Sequence, residues 1–476
     1  MARTGSTRSK SRDEWAGEKL HDIINLRALS KGTLISGNTV HYRRNRPVTL
    51  TYDIVKDWTG PFNHPLQFHG VVLPEYIELT GDNALVHPKL SDHSPVTVNF
   101  DWQKIPDNWI LATSFGTSSC QTYSGQWIDV QHALYTAGQF RVHHFEIGAR
   151  PAVLAIRGEW TFTDEQVISD IQKVVGAVRD FWHDDNFPYF LITLKPYDHD
   201  RGSADGSAFT NAFWLYMPRL DPFSTELTQL AHESFHAWNP GKMGDVPDHK
   251  KIEWFREGFT NYYASLLVQK AGLMPLADYV DGINRDLRNY PSSKDPYLRG
   301  RVIALWLDGK IRKDSDRKSS LHNVMFDMVR EAAKPLTEAR ILETAGRYLT
   351  LEARVQLDQI VNARADVAPE DGPLGPCAHV SLDELPAFDL GFDFAASQAS
   401  HKVMAVIPDG PAFQAGLRND QKLLGWSVYN DQPDKAAKMT IATDDGGKTK
   451  IEYYPKGNMI TVPQYHLDQQ GACRLP

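Results

Sequence analysis

The chain has 476 residues, 41% of them hydrophobic and 11% aromatic, with a formal charge of -8. That length predicts two to four domains with a substantial core. The acidic balance argues against a nucleic-acid partner, which would need a broad basic face. No run approaches the roughly 18 uninterrupted apolar residues of a membrane span, so a soluble protein is expected.

The first twelve residues, MARTGSTRSKSR, are basic and lack apolar periodicity, which predicts a disordered tail over residues 1–20. No apolar stretch follows the positive charges, so the segment does not read as a secretory leader. From residue 21 to 158 short runs such as VTLTYDIV, VTVNFDW and FRVHHFEIG alternate polar and apolar residues between turn formers. A period of two with frequent turn signals predicts an N-terminal antiparallel β-domain.

The period changes at TDEQVISDIQKVVGAVRDFW, which has apolar residues at helical spacing and Thr163 placed as an N-cap. Two strand-like runs follow, YFLITLKP and AFWLYM, and from Ser224 to about residue 363 helical patterns dominate. Strands feeding a helical body predict an α+β domain over residues 159–365. A Pro/Gly/Ala-rich linker over 366–378 leads to a second β-rich unit, 379–476. The chain has three cysteines, too few for a disulfide framework. Cys377 and Cys473 bracket the last unit, where either a closing disulfide or two free buried thiols is expected.

The chemistry concentrates in AHESFHAWNP. Residues four apart on a helix point the same way, so His232 and His236 present two imidazoles to one ion, and Glu233 reaches a water beside it as a general base. With 18 histidines in the chain the five-residue pattern is only moderately specific. A catalytic zinc wants a third protein ligand and an open position. The later run EWFREGFTNYY offers Glu257, set among Trp254, Phe255, Phe259 and Tyr262, where an unpaired carboxylate is costly to bury. Glu253, one turn earlier and nearer the loop, is the competing choice. His143 with His144, and His199, lack a third partner at metal spacing and read as solvated or core histidines.

HESFHAWN followed by EWFREGFTNYY resembles the glycyl aminopeptidase family of gluzincin zinc metallopeptidases, whose pattern is H-E-x-x-H-x-W-N and then W-F-x-E-G-F-T. The resemblance implies an N-terminal β-sandwich, a thermolysin-like catalytic domain and a C-terminal PDZ-like domain. It implies Zn²⁺ held by His232, His236 and Glu257, with Glu233 as general base. In DPYLRGRVIALW it implies that Tyr297, shortly before Gly300, steadies the oxyanion; packing at a helix start is the bland alternative. Where the family carries G-G-x-E-H to hold a substrate's α-ammonium, this chain reads RGSADGSAF, so Asp205 is the nearest equivalent and no histidine follows it. Asp205 as an ordinary turn aspartate has equal standing.

DLGFDF and VMAVIPDGPAFQAGL resemble a PDZ domain, with Gly391 opening a carboxylate-binding loop and PAFQAGL as the bordering helix. The expected function is a zinc-dependent aminopeptidase acting on peptide or protein substrates and releasing small N-terminal residues such as Gly or Ala. A zinc endopeptidase with the same metal site, and an inactive peptide-binding PDZ protein, are the alternatives. The family resemblance favours a periplasmic or secreted location; the lack of a leader favours the cytoplasm.

Overall fold

The computed structural model describes residues 4–8, 23–36, 39–43, 46–56, 58–59, 69–87, 90–198, 204–376 and 378–468. It forms two compact units, Met1–Ser234 and Phe235–Pro476. No helix among the described residues is long and apolar enough to cross a membrane.

The first unit opens with β1 (Thr4–Arg8), β2 (Ile23–Ala28), β3 (Leu34–Ser36), β4 (Thr39–Arg43) and β5 (Leu50–Ile54). There follow β6 (Val71–Val72), β7 (Tyr76–Thr80), the short helix α1 (Gly81–Ala84), β8 (Pro95–Asp101), β9 (Ile110–Thr113), β10 (Cys120–Gln126), α2 (Trp127–Gln131) and β11 (Leu134–Gly138). They pair antiparallel as β1-β4-β3, β2-β5, β10-β8 and β6-β7-β11-β9. The expected sandwich is therefore a set of small sheets, because frequent turn residues keep the strands short. Part of the expected disordered tail is also corrected: Thr4–Arg8 adds to the edge of β4, as extended Thr and Ser residues can without any apolar period.

A five-stranded sheet carries the rest of this unit. Its strands are β12 (Arg141–Ile147), β13 (Arg150–Ile156), β14 (Phe190–Pro196), β15 (Asp205–Phe209) and β16 (Ala212–Met217), in the order β12-β13-β14-β16-β15. β13, β14 and β16 run parallel, and the two edges are antiparallel. The boundary expected at residue 158 is thus displaced. β12 and β13 belong with the later strands, since alternation reports a strand but not its partner. Helix α3 (Asp164–Trp182) links β13 to β14, burying Val167, Ile171, Val174 and Val178 at helical spacing. Thr163 caps it by accepting from the Gln166 N–H at 3.2 Å. His143 lies 2.7 Å from Asp164, an ion-pair position rather than a ligand position. His199 lies outside the described residues.

One core cluster unites Val153 and Ala155 of β13, Leu191 of β14 and Ala212, Trp214 and Tyr216 of β16 with Tyr76 of β7, Ala112 of β9 and Leu134 of β11. Residues two apart share a strand face, so this side of the five-stranded sheet packs on the four-stranded one. A 3₁₀ turn, Phe223–Glu226, then leads into α4 (Leu227–Phe235).

The second unit contains α5 (Glu253–Lys270), α6 (Leu276–Asn289), α7 (Pro296–Asp314), α8 (Leu321–Arg330), α9 (Glu338–Gly346) and α10 (Leu351–Asn362). A β-bearing segment follows: β17 (Ala378–Phe388), α11 (Phe394–Ser400), α12 (Pro411–Gln414), β18 (Leu423–Ser427), β19 (Ala437–Ala442), β20 (Lys448–Tyr453) and β21 (Lys456–Leu467). Its sheets are β17-β21 and β18-β19-β20.

Two expectations for this segment change. The Gly391 N–H itself donates to Asp389 Oδ1 at 2.7 Å, so any carboxylate at this loop would have to be received by its other N–H groups. Residues after that loop form α11, and the expected bordering helix is only the four-residue α12. Cys377 and Cys473 lie outside the described residues; Cys120 is a free, exposed thiol.

Candidate metal centre

Helix α4 ends at Phe235, before the Asn239-Pro240-Gly241 run. The N–H groups of Trp238 and Asn239 both bond to the Phe235 carbonyl, closing the helix in a turn. His236 stands one residue past the helix, where its ring folds back onto that turn. Its Nδ1 lies 2.7 Å from the Asn239 carbonyl. A carbonyl only accepts, so Nδ1 carries the hydrogen and a neutral ring presents its lone pair at Nε2. That Nε2 faces Glu257 Oε2 at 3.4 Å.

Two lone-pair atoms facing each other in a buried place are unfavourable unless a proton or a cation lies between them. One ligand atom from each of His232, His236 and Glu257 lies within 4.8 Å of the others. His232 and Glu257 are 5% and 3% exposed. Two imidazoles and a carboxylate at this spacing fit a small divalent ion with nitrogen and oxygen ligands. Glu253, the first residue of α5, is not part of the group.

The surrounding residues fix the ligands. The Asn239 side-chain amide donates to the Phe255 and Arg256 carbonyls, each at 3.3 Å, and to Thr260 Oγ1 at 3.1 Å. The same residue therefore aims His236 through its carbonyl and grips the helix of Glu257 through its amide. Thr260 in turn donates to the Arg256 carbonyl at 2.6 Å. Arg256 Nη2 lies 2.7 Å from the other oxygen of Glu257, leaving Oε2 toward the histidines.

Glu233 is held independently. Gln229 Nε2 donates to its Oε1 at 2.7 Å, and the Ala208 N–H of β15 donates to its Oε2 at 3.0 Å. Each carboxylate oxygen has a second lone pair, so both bonds orient the group without exhausting it. Gln229 was visible in the sequence as the residue one turn before Glu233. Ala208 was not, because a backbone group brought in from a neighbouring strand has no side-chain signature. Gly206 permits this approach: a Cβ there would stand 2.6 Å from the Phe213 ring and 3.4 Å from Gln229 Cγ.

Asp205 opens β15, three residues before Ala208, and its Oδ2 accepts from the Tyr197 hydroxyl at 2.5 Å. Burial, then the Asp205 bond and charge, raise the Tyr197 pKa, so the phenol stays a donor. Burial also raises the Glu226 pKa, with the charges of Asp221 and Asp205 adding to it. Three carboxylates thus share this corner.

Tyr297 lies in the first turn of α7 and is 39% exposed, its N–H accepted by the Asp295 cap. Helices α5 and α7 touch backbone to backbone. A Cβ on Gly258 would be 2.2 Å from Gly300 Cα, and one on Gly300 would be 1.8 Å from the Trp254 carbonyl oxygen. Further along, Tyr262 donates to Asp308 at 3.2 Å. The two contacts advance in the same sense, so the helices are parallel and the turn bearing Tyr297 lies at the end of α5 that bears Glu257.

With this geometry in view, residues 225–300 match the M61 glycyl aminopeptidase family model. The matched stretch contains α4, α5 and the start of α7. No curated protein matches the chain significantly. Among solved structures, an aminopeptidase N family protein from Idiomarina loihiensis is 15% identical with a TM-score of 0.69, over 98% of this chain and 93% of that one. A two-domain M1 zinc metallopeptidase mutant bound to L-arginine is 14% identical with a TM-score of 0.50, over 78% and 87%. At these identities the likeness to solved structures is one of fold.

Proposed function

We propose that this protein is a zinc metallopeptidase that acts as an aminopeptidase. The observation that carries the reading is the convergence of His232, His236 and Glu257, with His236 Nε2 turned toward Glu257 by the Asn239 carbonyl. The family match over residues 225–300 supports peptide hydrolysis as the reaction. Zinc bound by these three residues would supply Lewis-acid polarisation of the scissile carbonyl and acidify water.

The chain's own groups do the rest. Glu233, oriented by Gln229 and Ala208, takes the proton of the attacking water and delivers it to the leaving amine. Tyr297 donates to the developing oxyanion, a bond stronger in the transition state than in the substrate. β15 is a sheet edge, and an extended substrate adds along such an edge through backbone hydrogen bonds. Asp205, in a corner with Asp221 and Glu226, attracts the substrate's α-ammonium, which gives the aminopeptidase preference. Small N-terminal residues, Gly or Ala, are the expected substrates.

The test is hydrolysis of glycyl and alanyl anilides by the wild type and Glu233→Gln, with metal content measured on the same samples. Both should hold one zinc per chain, and the variant should lose roughly 10²–10⁴-fold in rate. Zinc at full occupancy with no turnover of any peptide by the wild type would sink the reading. Equal cleavage of free and N-acetylated peptides would leave the metal site standing and remove Asp205 from its role.

A further inference from the structure

A cavity of about 550 Å³ lies in the first unit, lined in part by Lys56, Glu75, Arg157, Pro196, Asp198 and Arg219. Arg157 directly follows β13, Pro196 ends β14 and Arg219 follows β16. The cavity therefore sits at the carboxyl ends of the three parallel strands, the side on which open α/β sheets take ligands.

Its charges are mismatched in an informative way. Among the described residues, Lys56, Arg157 and Glu75 form no ion pair. Lys56 Nζ lies 3.9 Å from the centre of the Trp58 ring. Arg157 faces the Tyr76 ring at 5.3 Å and donates to the Gln139 carbonyl at 3.3 Å. Lys56, Arg157 and Glu75 thus share one cavity without pairing with one another, with Asp198 and Arg219 also on its lining and walls that include Trp58, Leu73 and Tyr76. A ligand bearing both charges and an apolar body meets all three conditions, and the volume is within the usual range for small-molecule sites.

We propose that this cavity binds a small zwitterion, a free α-amino acid with an apolar side chain. Arg157 and Lys56 take its carboxylate, Glu75 its ammonium, and Trp58, Leu73 and Tyr76 its side chain. The assignment rests on the cavity alone and stands whether or not the metal centre hydrolyses peptides.

The test is calorimetric titration of L-leucine into the full chain after removal of metal with a chelator, so that no bound ion holds the carboxylate at the histidines. Saturable binding at one site is expected, unchanged in Glu233→Gln and weakened roughly tenfold or more in Arg157→Met and in Glu75→Gln. N-acetyl-L-leucine and L-leucinamide, each lacking one charge, should bind at least tenfold more weakly for the same reason. Lys56→Met, at a partly exposed position, repeats the test should Arg157→Met fail to fold, and circular dichroism checks each variant. Absence of binding at millimolar L-leucine overturns the proposal, as does binding that survives the Arg157 and Glu75 changes. N-acetyl-L-leucine binding as tightly as L-leucine removes the ammonium site and with it the zwitterion.

Discussion

Two buried charge clusters in this molecule use similar residues and reach opposite ends. Between the sheets of the first unit, Glu78 receives hydrogen bonds from Lys195, from Thr193 Oγ1 at 3.2 Å and from the Tyr216 hydroxyl at 2.7 Å. Lys195 is fully buried and also donates to Thr193 at 2.7 Å. Lys195 Nζ also lies 4.4 Å from the centre of the Tyr216 ring, so the cluster closes on itself. Burial nonetheless lowers the Lys195 pKa to about 8, against the opposing pull of Glu78. Around Glu257 the order differs: imidazole and carboxylate lone pairs face each other across 3.4 Å. A closed cluster needs nothing further; in the open one Arg256 holds only the other Glu257 oxygen, and the facing pair of atoms calls for a second cation.

That contrast breaks most readily at Lys195. Lys195→Met strands the Glu78 carboxylate between two sheets, and removing one member of a buried pair costs about 3–5 kcal/mol. Chemical denaturation should show that loss while zinc content is unchanged. The double variant Lys195→Met/Glu78→Leu, which removes both charges, should recover most of it. A Lys195→Met protein as stable as wild type would mean that the cluster is hydrated, contrary to its burial.

Glu257→Gln asks the reverse question. Metal affinity should fall by more than the roughly 10–100-fold that outer partners of a ligand usually contribute. The metal-free protein should stay within about 1 kcal/mol of wild type, because a Gln amide can donate to His236 Nε2 where the carboxylate cannot. A loss of several kcal/mol without metal would make Glu257 a structural ion-pair member like Glu78, and the distinction between the clusters would collapse.

The sequence exposed one of these clusters and hid the other for a physical reason. His232, Glu233 and His236 lie within a few residues of one another in the sequence, and Glu257 follows them on a second helix beyond the connection 236–252. The four residues that make the closed cluster's hydrogen bonds come from strands β7, β14 and β16, and Glu78 is 117 positions from Lys195. Nothing local in EYIELT or YFLITLKP states that a glutamate and a lysine will meet. The same limit explains the misplaced boundary at 158, since β13 reads as a strand whichever sheet it joins. It also explains Asp205, whose partner Tyr197 directly follows β14, a strand separated from β15 by β16. The C-terminal segment differs. Its Gly391 motif was legible, but the Asp389 side chain that occupies the loop's N–H was not read as a competitor for it.

A smaller effect should come from Asn239, and it separates aiming a ligand from being one. Asn239→Ala leaves the backbone carbonyl that meets His236 Nδ1 but removes the amide that ties this turn to the Phe255 and Arg256 carbonyls and to Thr260. The turn and α5 then lose their mutual reference, and His236 and Glu257 must be drawn together by the ion itself. Zinc affinity, measured by competition with a chelator, should fall about 10–100-fold. Because all three ligands remain, saturating zinc should restore most of the hydrolytic rate, whereas Glu257→Gln should not be restored. Thr260→Val, which removes only one acceptor of the Asn239 amide, should fall in the same direction by a smaller factor. If excess zinc fails to rescue Asn239→Ala while its fold is intact, Asn239 does more than position His236 and Glu257, and the open cluster includes a fourth functional residue.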